Sequence, residues 1–397
     1  MFKSVKKQDL LIVFLLSIMM LVVGYYYVNR QARNQLWLKT YPIRAQLALT
    51  HISCSNNSPS WLKDIIIYQT KYGNAPANQI AFLDKQNNLH HCESGYIGQY
   101  PILSEPVSTD TRFRYASVSK LWTSDAILNL VRQGKINLND PLSKYLPEIN
   151  YPHDSRINDI TIRQLLLHRA GFDRNNVRGH DMFGVGESIC PNNFEKLNSI
   201  ELTFTPNQKV SYSNLGYCLL GEVISREMNK SFIETISESY QLSDSTLEYI
   251  GKKSLSDEVS YNYVETGISG VGNIYTAFDY QGLASAAGLS GSAIDLAKQV
   301  KAMASKPEPN ILSLDDTLSC NSSIMRDCYG YAMFAYQNSD KHQKVYYRDG
   351  KLLGLSSLVA VSEDKQVVTL LSNGNSKEDR WHYDKTKYML SEQLSQD

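Results

Sequence analysis

Residues 10–28, LLIVFLLSIMMLVVGYYYV, are apolar on every face over a length that crosses a bilayer, and they end in three tyrosines suited to the membrane interface. Lys3, Lys6 and Lys7 precede this run. A positive flank stays on the cytoplasmic side, so the chain from about residue 29 onward is expected across the membrane. The run leads into Tyr-Tyr-Tyr-Val-Asn-Arg, which offers no small-x-small cleavage site, so the reading favours an uncleaved anchor over a removed signal. The expected location is therefore the bacterial inner membrane, with a single pass and the bulk of the chain on the periplasmic or extracellular side.

Shorter apolar runs mark strands. QIAFLD at 79–84, the polar turn KQNN and then LHHCE read as a hairpin. KVYYR from 344, SSLVAVS from 356 and QVVTLLS from 366 form a second group, followed by a polar-ended helix from about 377. Between the two groups the pattern is helical. SKLWTSDAILNLVRQG closes at Gly134, IRQLLLHRAG closes at Gly171, and LGYCLLGEVISREMN makes a third helix. The layout predicts one sheet built from both ends of the chain, a helical insertion between them, and a cleft where the two meet. The expected organisation is a cytoplasmic terminus at 1–9, a span at 10–28, a juxtamembrane helix and connector at 29–76, and a folded domain at 77–397. The turn-rich SCSNNSPS at 53–60 breaks the connector.

The chain has 397 residues, with 40 of each charge sign and a formal net charge of zero. No basic stripe is present, which argues against nucleic acid and points to a small-molecule or peptide substrate. The 26 tyrosines are assigned to packing. Six cysteines in an exported chain permit disulfides, with Cys320–Cys328 the first expected because the two lie close in a polar stretch. The other pairings stay open. No two cysteines have C-x-x-C spacing and the eight histidines are scattered, so neither a metal site nor a cofactor is expected.

Ser-x-x-Lys occurs four times, at Ser4, Ser60, Ser117 and Ser362. The copy in RFRYASVSKLWTSDAI is the one followed in order by a Tyr-x-Asn and a closing strand glycine, and its place at a helix start puts Ser117 and Lys120 on one face and backbone N–H groups near any developing oxyanion. A serine hydroxyl needs a base within reach, and lysine serves only if burial or a neighbouring cation lowers its pKa. Tyr-x-Asn also occurs four times, at Tyr27, Tyr72, Tyr212 and Tyr336, and only Tyr212 leads directly into an apolar helix. Tyr212 supplies a phenol to exchange protons, and Asn214 an amide to orient lysine and substrate.

FRYASVSK, LLLHRAGF at 165–172, YSNLGYCLLG at 212–221, AAGLSGSAIDLAK at 286–298 and YGYAMFAY at 329–336 together resemble the serine β-lactamase family. The similarity runs in order from about residue 79 to 374. It is closest to the branch of class C β-lactamases, D-alanyl-D-alanine carboxypeptidases and related esterases. The resemblance implies an α+β fold: an antiparallel sheet flanked by helices, with an all-helical subdomain. It also implies that Ser117 forms an acyl-enzyme while Lys120 and Tyr212 share the general-base work.

The family's third element, Lys-Thr-Gly or His-x-Gly, is replaced here by Arg348-Asp349-Gly350. Arg348 is expected to hold a substrate carboxylate, with Asp349 offsetting part of that attraction. Gly350 lets the strand approach the substrate, and the N–H of Lys351 would complete an oxyanion hole with that of Ser117. His168 is read as a helix-closing residue, and no Gly-x-Ser-x-Gly elbow supports an α/β-hydrolase. The leading expectation is a membrane-anchored serine hydrolase acting on a D-alanyl peptide, a β-lactam or a small ester. The alternative is a non-catalytic ligand sensor or scaffold.

Overall fold

A computed structural model describes residues 7–98, 103–174, 181, 188–261, 274–374 and 380–395. Helix α1 (Lys7–Val28) is the expected apolar run, with no buried residue in it. Asn29 breaks it, and its side-chain oxygen accepts from the N–H of Ala32 to cap helix α2 (Arg30–Leu49). Tyr41 is buried and its hydroxyl donates to the Thr70 carbonyl, which docks α2 on helix α3 (Ser60–Tyr72).

The connector expected over 29–76 is shorter than that. Strand β1 (Ile52–Cys54) pairs with the hairpin, and α3 buries Leu62, Ile65 and Ile66 against the sheet, so the folded domain begins near residue 52. The three-residue strand and the interrupted apolar pattern of this segment carry little local signal. It is structured by what it packs against.

The hairpin is β2 (Asn78–Leu83) and β3 (Leu89–Ser94). A short three-stranded sheet joins β4 (Phe113–Arg114), β5 (Glu248–Tyr249) and β6 (Leu289–Gly291). The carboxyl-terminal strands are β7 (Cys328–Tyr329), β8 (Phe334–Tyr336), β9 (Val345–Leu352), β10 (Leu355–Ser362) and β11 (Val367–Ser372). The main sheet has eight antiparallel strands in the order β1-β3-β2-β11-β10-β9-β8-β7, so β2 from one end of the chain lies beside β11 from the other. This is the both-ends sheet expected from the pattern.

The central strands are apolar on both faces, and alternation divides them between two cores. Ile80, Phe82, Leu358, Ala360, Val368 and Leu370 face α3 and the last helix, which ends at Leu394. Ala81, Leu83, Val359, Val361, Val367 and Leu371 face the larger core shared with the helical region. That region contains helices α4 (Lys120–Arg132), α5 (Ile162–Leu166) and α6 (Asn214–Met228). Helix α5 stops five residues before the expected Gly171, because His168 enters the left-handed region at φ 54°. Beyond α6 come α7 (Phe232–Ser239), α8 (Ala284–Ala287), α9 (Ala293–Ala304) and α10 (Arg380–Leu394).

Three disulfides close among the described residues. Cys320–Cys328 forms as expected; Cys54–Cys92 ties β1 to its partner at a directly paired position, and Cys190–Cys218 ties a loop to α6.

Candidate active site

Ser117 lies in a single 3-10 turn, Ala116–Ser119, that leads into α4. The residue before it, Ala116, has φ 46°, a region that a residue with a Cβ adopts only where its surroundings require it. The surroundings here are extensive. The Tyr115 N–H donates to the Leu289 carbonyl, the Tyr115 carbonyl accepts from Ser357 Oγ at 2.6 Å, and Ser119 Oγ accepts from the Leu289 N–H.

Lys120 is fully buried one turn on. Its Nζ lies 2.7 Å from Asn214 Oδ1, 2.8 Å from the Ala286 carbonyl and 3.4 Å from Ser117 Oγ. Burial holds Lys120 well below the usual ammonium range; Arg348 and Arg174 add to that effect and Asp181 opposes it. A neutral amine has two N–H donors and one lone pair. The first two acceptors take the donors and leave the lone pair toward Ser117.

The Tyr212 hydroxyl donates to Ser117 Oγ at 2.6 Å. Burial pushes the phenol's pKa up, against lowering by Arg348, the Ser117 hydrogen bond and Arg174, so Tyr212 is protonated at neutral pH. His168 stacks on Tyr212 with ring centroids 4.4 Å apart, and its Nδ1 accepts from the Ser213 N–H. It therefore supports the tyrosine. Burial and the neighbouring Arg348 and Arg174 cations keep its imidazole neutral.

Asp181 is the residue the sequence reading missed. Its Oδ1 accepts from Ser213 Oγ at 2.9 Å and from the N–H groups of Asn214 and Leu215 at 2.7 and 3.1 Å, which caps α6 from outside the helix. Its Oδ2 and carbonyl oxygen lie within 3.4 Å of Asn214 Nδ2. The amide is thereby turned so that its oxygen faces Lys120. Nothing in the local pattern around Asp181 marks it, because the groups it caps lie more than thirty residues away.

The third element departs from its expected role. Arg348 is 2% exposed. Its Nε donates to the Ser117 carbonyl at 3.0 Å, and its Nη1 donates to the Tyr329 hydroxyl and, at 3.2 Å, to the Ala332 carbonyl. A guanidinium held this way lies behind the nucleophile and does not line the cleft, where the sequence reading expects it to hold a substrate carboxylate. Asp349 is one of the groups whose negative charge favours the charged guanidinium. Its carboxylate pairs with Arg326 at 2.6 Å and Lys387 at 3.1 Å, which outweigh burial and hold it far below the usual carboxylate range. The cleft, with room for about 190 Å³, is lined by Ser117, Arg174, Tyr212 and Asn214, by the strand residues Asp349, Lys351 and Leu352, and by apolar Phe278, Leu283 and Ala287.

The family model described as Beta-lactamase matches residues 98–392. The chain belongs to the serine β-lactamase-related family. A Dichelobacter nodosus serogroup D protein named for fimbrial assembly, FimD, is 30% identical over 381 residues, or 95% of this chain and 94% of its own. A solved class C β-lactamase matches with a TM-score of 0.66 at 15% identity, over 85% of this chain and 96% of that one. A D-stereospecific amidohydrolase from Streptomyces sp. matches with a TM-score of 0.64 at 18% identity, over 82% of this chain and 98% of its own. These two likenesses are of fold.

Within this β-lactamase fold, Gly350 is required by contact. A Cβ there would sit 2.5 Å from the Tyr115 carbonyl oxygen, 2.9 Å from the Ser117 nitrogen and 2.4 Å from Ser357 Oγ. Two of these are backbone atoms, which cannot swing aside. Gly350→Ala is expected to cost about 1–3 kcal/mol by overpacking, read as a lower melting temperature by circular dichroism. An unchanged melting temperature would show that the strand yields freely.

Proposed function

We propose that the protein is a membrane-anchored, exported serine hydrolase that forms an acyl-enzyme at Ser117. The observation that carries this is one hydrogen-bonded cluster: Ser117 Oγ sits 2.6 Å from the Tyr212 hydroxyl and 3.4 Å from a buried Lys120 whose ammonium form is disfavoured.

The Lys120 lone pair takes the Ser117 proton as Oγ attacks the acyl carbon. The resulting ammonium then has three N–H groups for its three acceptors. The N–H groups of Ser117 and Lys351 receive the oxyanion. As the C–N or C–O bond breaks, the Tyr212 phenol gives its proton to the leaving group and recovers one from Lys120. Water or another acceptor then releases the acyl group by the reverse relay. Asn214, turned by Asp181, and the Ala286 carbonyl keep the lysine's two donors occupied, and Gly350 gives Lys351 its approach. The substrate class is an amide or ester: a D-alanyl peptide, a β-lactam or a small ester.

The test is to label the detergent-solubilised full chain with a fluorescent penicillin or a fluorophosphonate and locate the adduct by peptide mass spectrometry. An adduct on the peptide containing Ser117 is the expected result; no adduct with any acylating probe, together with no ester hydrolysis, defeats the reading. The anchor has its own test. External protease applied to spheroplasts should degrade the domain beyond α1, and a protected domain would reverse the topology.

The relatives named for fimbrial assembly match over 95% of this chain, and this favours a second reading. In it the domain binds a ligand during assembly of a surface filament without turning it over. Normal filament assembly in cells carrying only the Ser117→Ala protein would support that reading over the first.

A further inference from the structure

Residues 348, 349 and 350 sit on β9 with alternating orientation, and the cluster described above is met by only the first and third of them. The Arg348 side chain reaches the Ser117 carbonyl at 3.0 Å, and Gly350 packs against the Ser117 nitrogen. Asp349 points the other way, into a charged cluster under α10. Arg326 Nη2 donates to Asp349 Oδ2 at 2.6 Å, while its Nη1 donates to both oxygens of Asp384 at 2.7 and 3.0 Å. Lys387, 1% exposed, lies 3.1 Å from Asp349 and 3.2 Å from Asp384.

Arg326 belongs to the ring closed by Cys320–Cys328, eight residues apart, and is held there at φ 72°. Inside the ring, Asp327 Oδ2 accepts from the Asn321 N–H at 2.6 Å. One residue past the ring, Tyr329 accepts the Arg348 Nη1 hydrogen bond on the opposite face of the strand. Both grips on β9 therefore come from one short stretch of chain, residues 326 and 329, and the disulfide and the β7–β8 pairing fix that stretch.

We propose that the Cys320–Cys328 loop is a positioning clamp for the nucleophile: Arg326 holds the outer face of β9 through Asp349, and Tyr329 holds its inner face through Arg348. The proposal rests on Ser117 being the nucleophile. Arg326 does not line the cleft, so it acts through the placement of Arg348, Gly350 and the Lys351 N–H relative to Ser117. A displacement of about 1 Å at such a site costs on the order of 100-fold in rate. Substrate contacts stay in place, so the loss falls on kcat.

The test uses the full-length protein in detergent with a chromogenic ester and a fluorophosphonate, comparing wild type with Arg326→Gln, Arg326→Lys and the Cys320→Ser/Cys328→Ser double variant. Active-site titration counts competent sites, and circular dichroism follows folding. Arg326→Gln should lower kcat per titrated site by about 10- to 100-fold with KM within about twofold, Arg326→Lys should recover most of the loss, and the cysteine pair should fall between. A per-site kcat within about twofold of wild type in the folded glutamine variant and the cysteine pair overturns the clamp. So does a loss that tracks only the number of titratable sites. If Arg326→Gln does not fold, the lysine and cysteine variants decide by the same criterion. A wild type that takes no label at Ser117 overturns the hydrolase reading and this positioning role with it, whereas a labelled wild type with unaffected variants overturns the clamp alone.

Discussion

Lys120→Met is expected to acylate Ser117 about 1,000-fold more slowly than wild type at neutral pH, and Ser117→Ala is expected to take no covalent label at all. Methionine fills the same buried space without a titratable nitrogen, so the comparison isolates proton transfer. The magnitude follows from the geometry. Ser117 Oγ has two polar neighbours, and the other, Tyr212, already donates to it and is held protonated by burial. Without Lys120, no unprotonated group stands within hydrogen-bond reach of the serine proton among the described residues. The measurement is the second-order rate of fluorophosphonate labelling. A Lys120→Met rate within tenfold of wild type would transfer the base role to Tyr212, and persistent labelling of Ser117→Ala would mean that another serine is the nucleophile.

The second large effect is expected at Arg348. This guanidinium stays charged at every working pH, is buried, and stands beside Lys120 and Tyr212. It lowers the lysine pKa, so removing it raises that pKa. Activity requires the neutral amine, so the acidic limb of the kcat/KM profile reports the lysine pKa and moves to higher pH in Arg348→Met. The same substitution frees the Ser117 carbonyl, so the plateau also falls, by about 100-fold. A limb that stays in place, or moves to lower pH, contradicts the electrostatic role. A plateau unchanged from wild type contradicts the positional one.

The parts of this site that are legible in the sequence share a physical origin. Ser117 and Lys120 are three residues apart at the start of a helix, and the i, i+3 spacing alone brings them to one face. Tyr212 and Asn214 precede an apolar run whose period specifies α6 and therefore places Asn214 at its first residue and Tyr212 just before its cap. Each of these follows from local geometry and can be read from neighbours within one or two turns.

The residues that were misread or missed depend on contacts across long stretches of chain. Arg348 sits 231 residues from the carbonyl it holds, and its sequence shows only that a cation occupies the third element. Which face of β9 it takes, and what meets it there, follow from packing against the 3-10 turn at Ser117. Asp181 caps a helix to which it does not belong. Residues 52–72 look like a connector until β1 finds β3 and α3 finds the sheet. Two of the three disulfides likewise join positions that only the fold brings together.

Local periodicity and spacing are sufficient for the apolar helix α1, for most strands and helices, and for the shared face of Ser117 and Lys120, because backbone geometry sets those relations within a few residues. The charge state of Lys120, the inward turn of Arg348, the capping carboxylate of Asp181 and the grip of Arg326 on β9 belong to the tertiary structure. Burial and Coulomb interactions depend on which distant groups share the same low-dielectric space, and only the folded chain sets that.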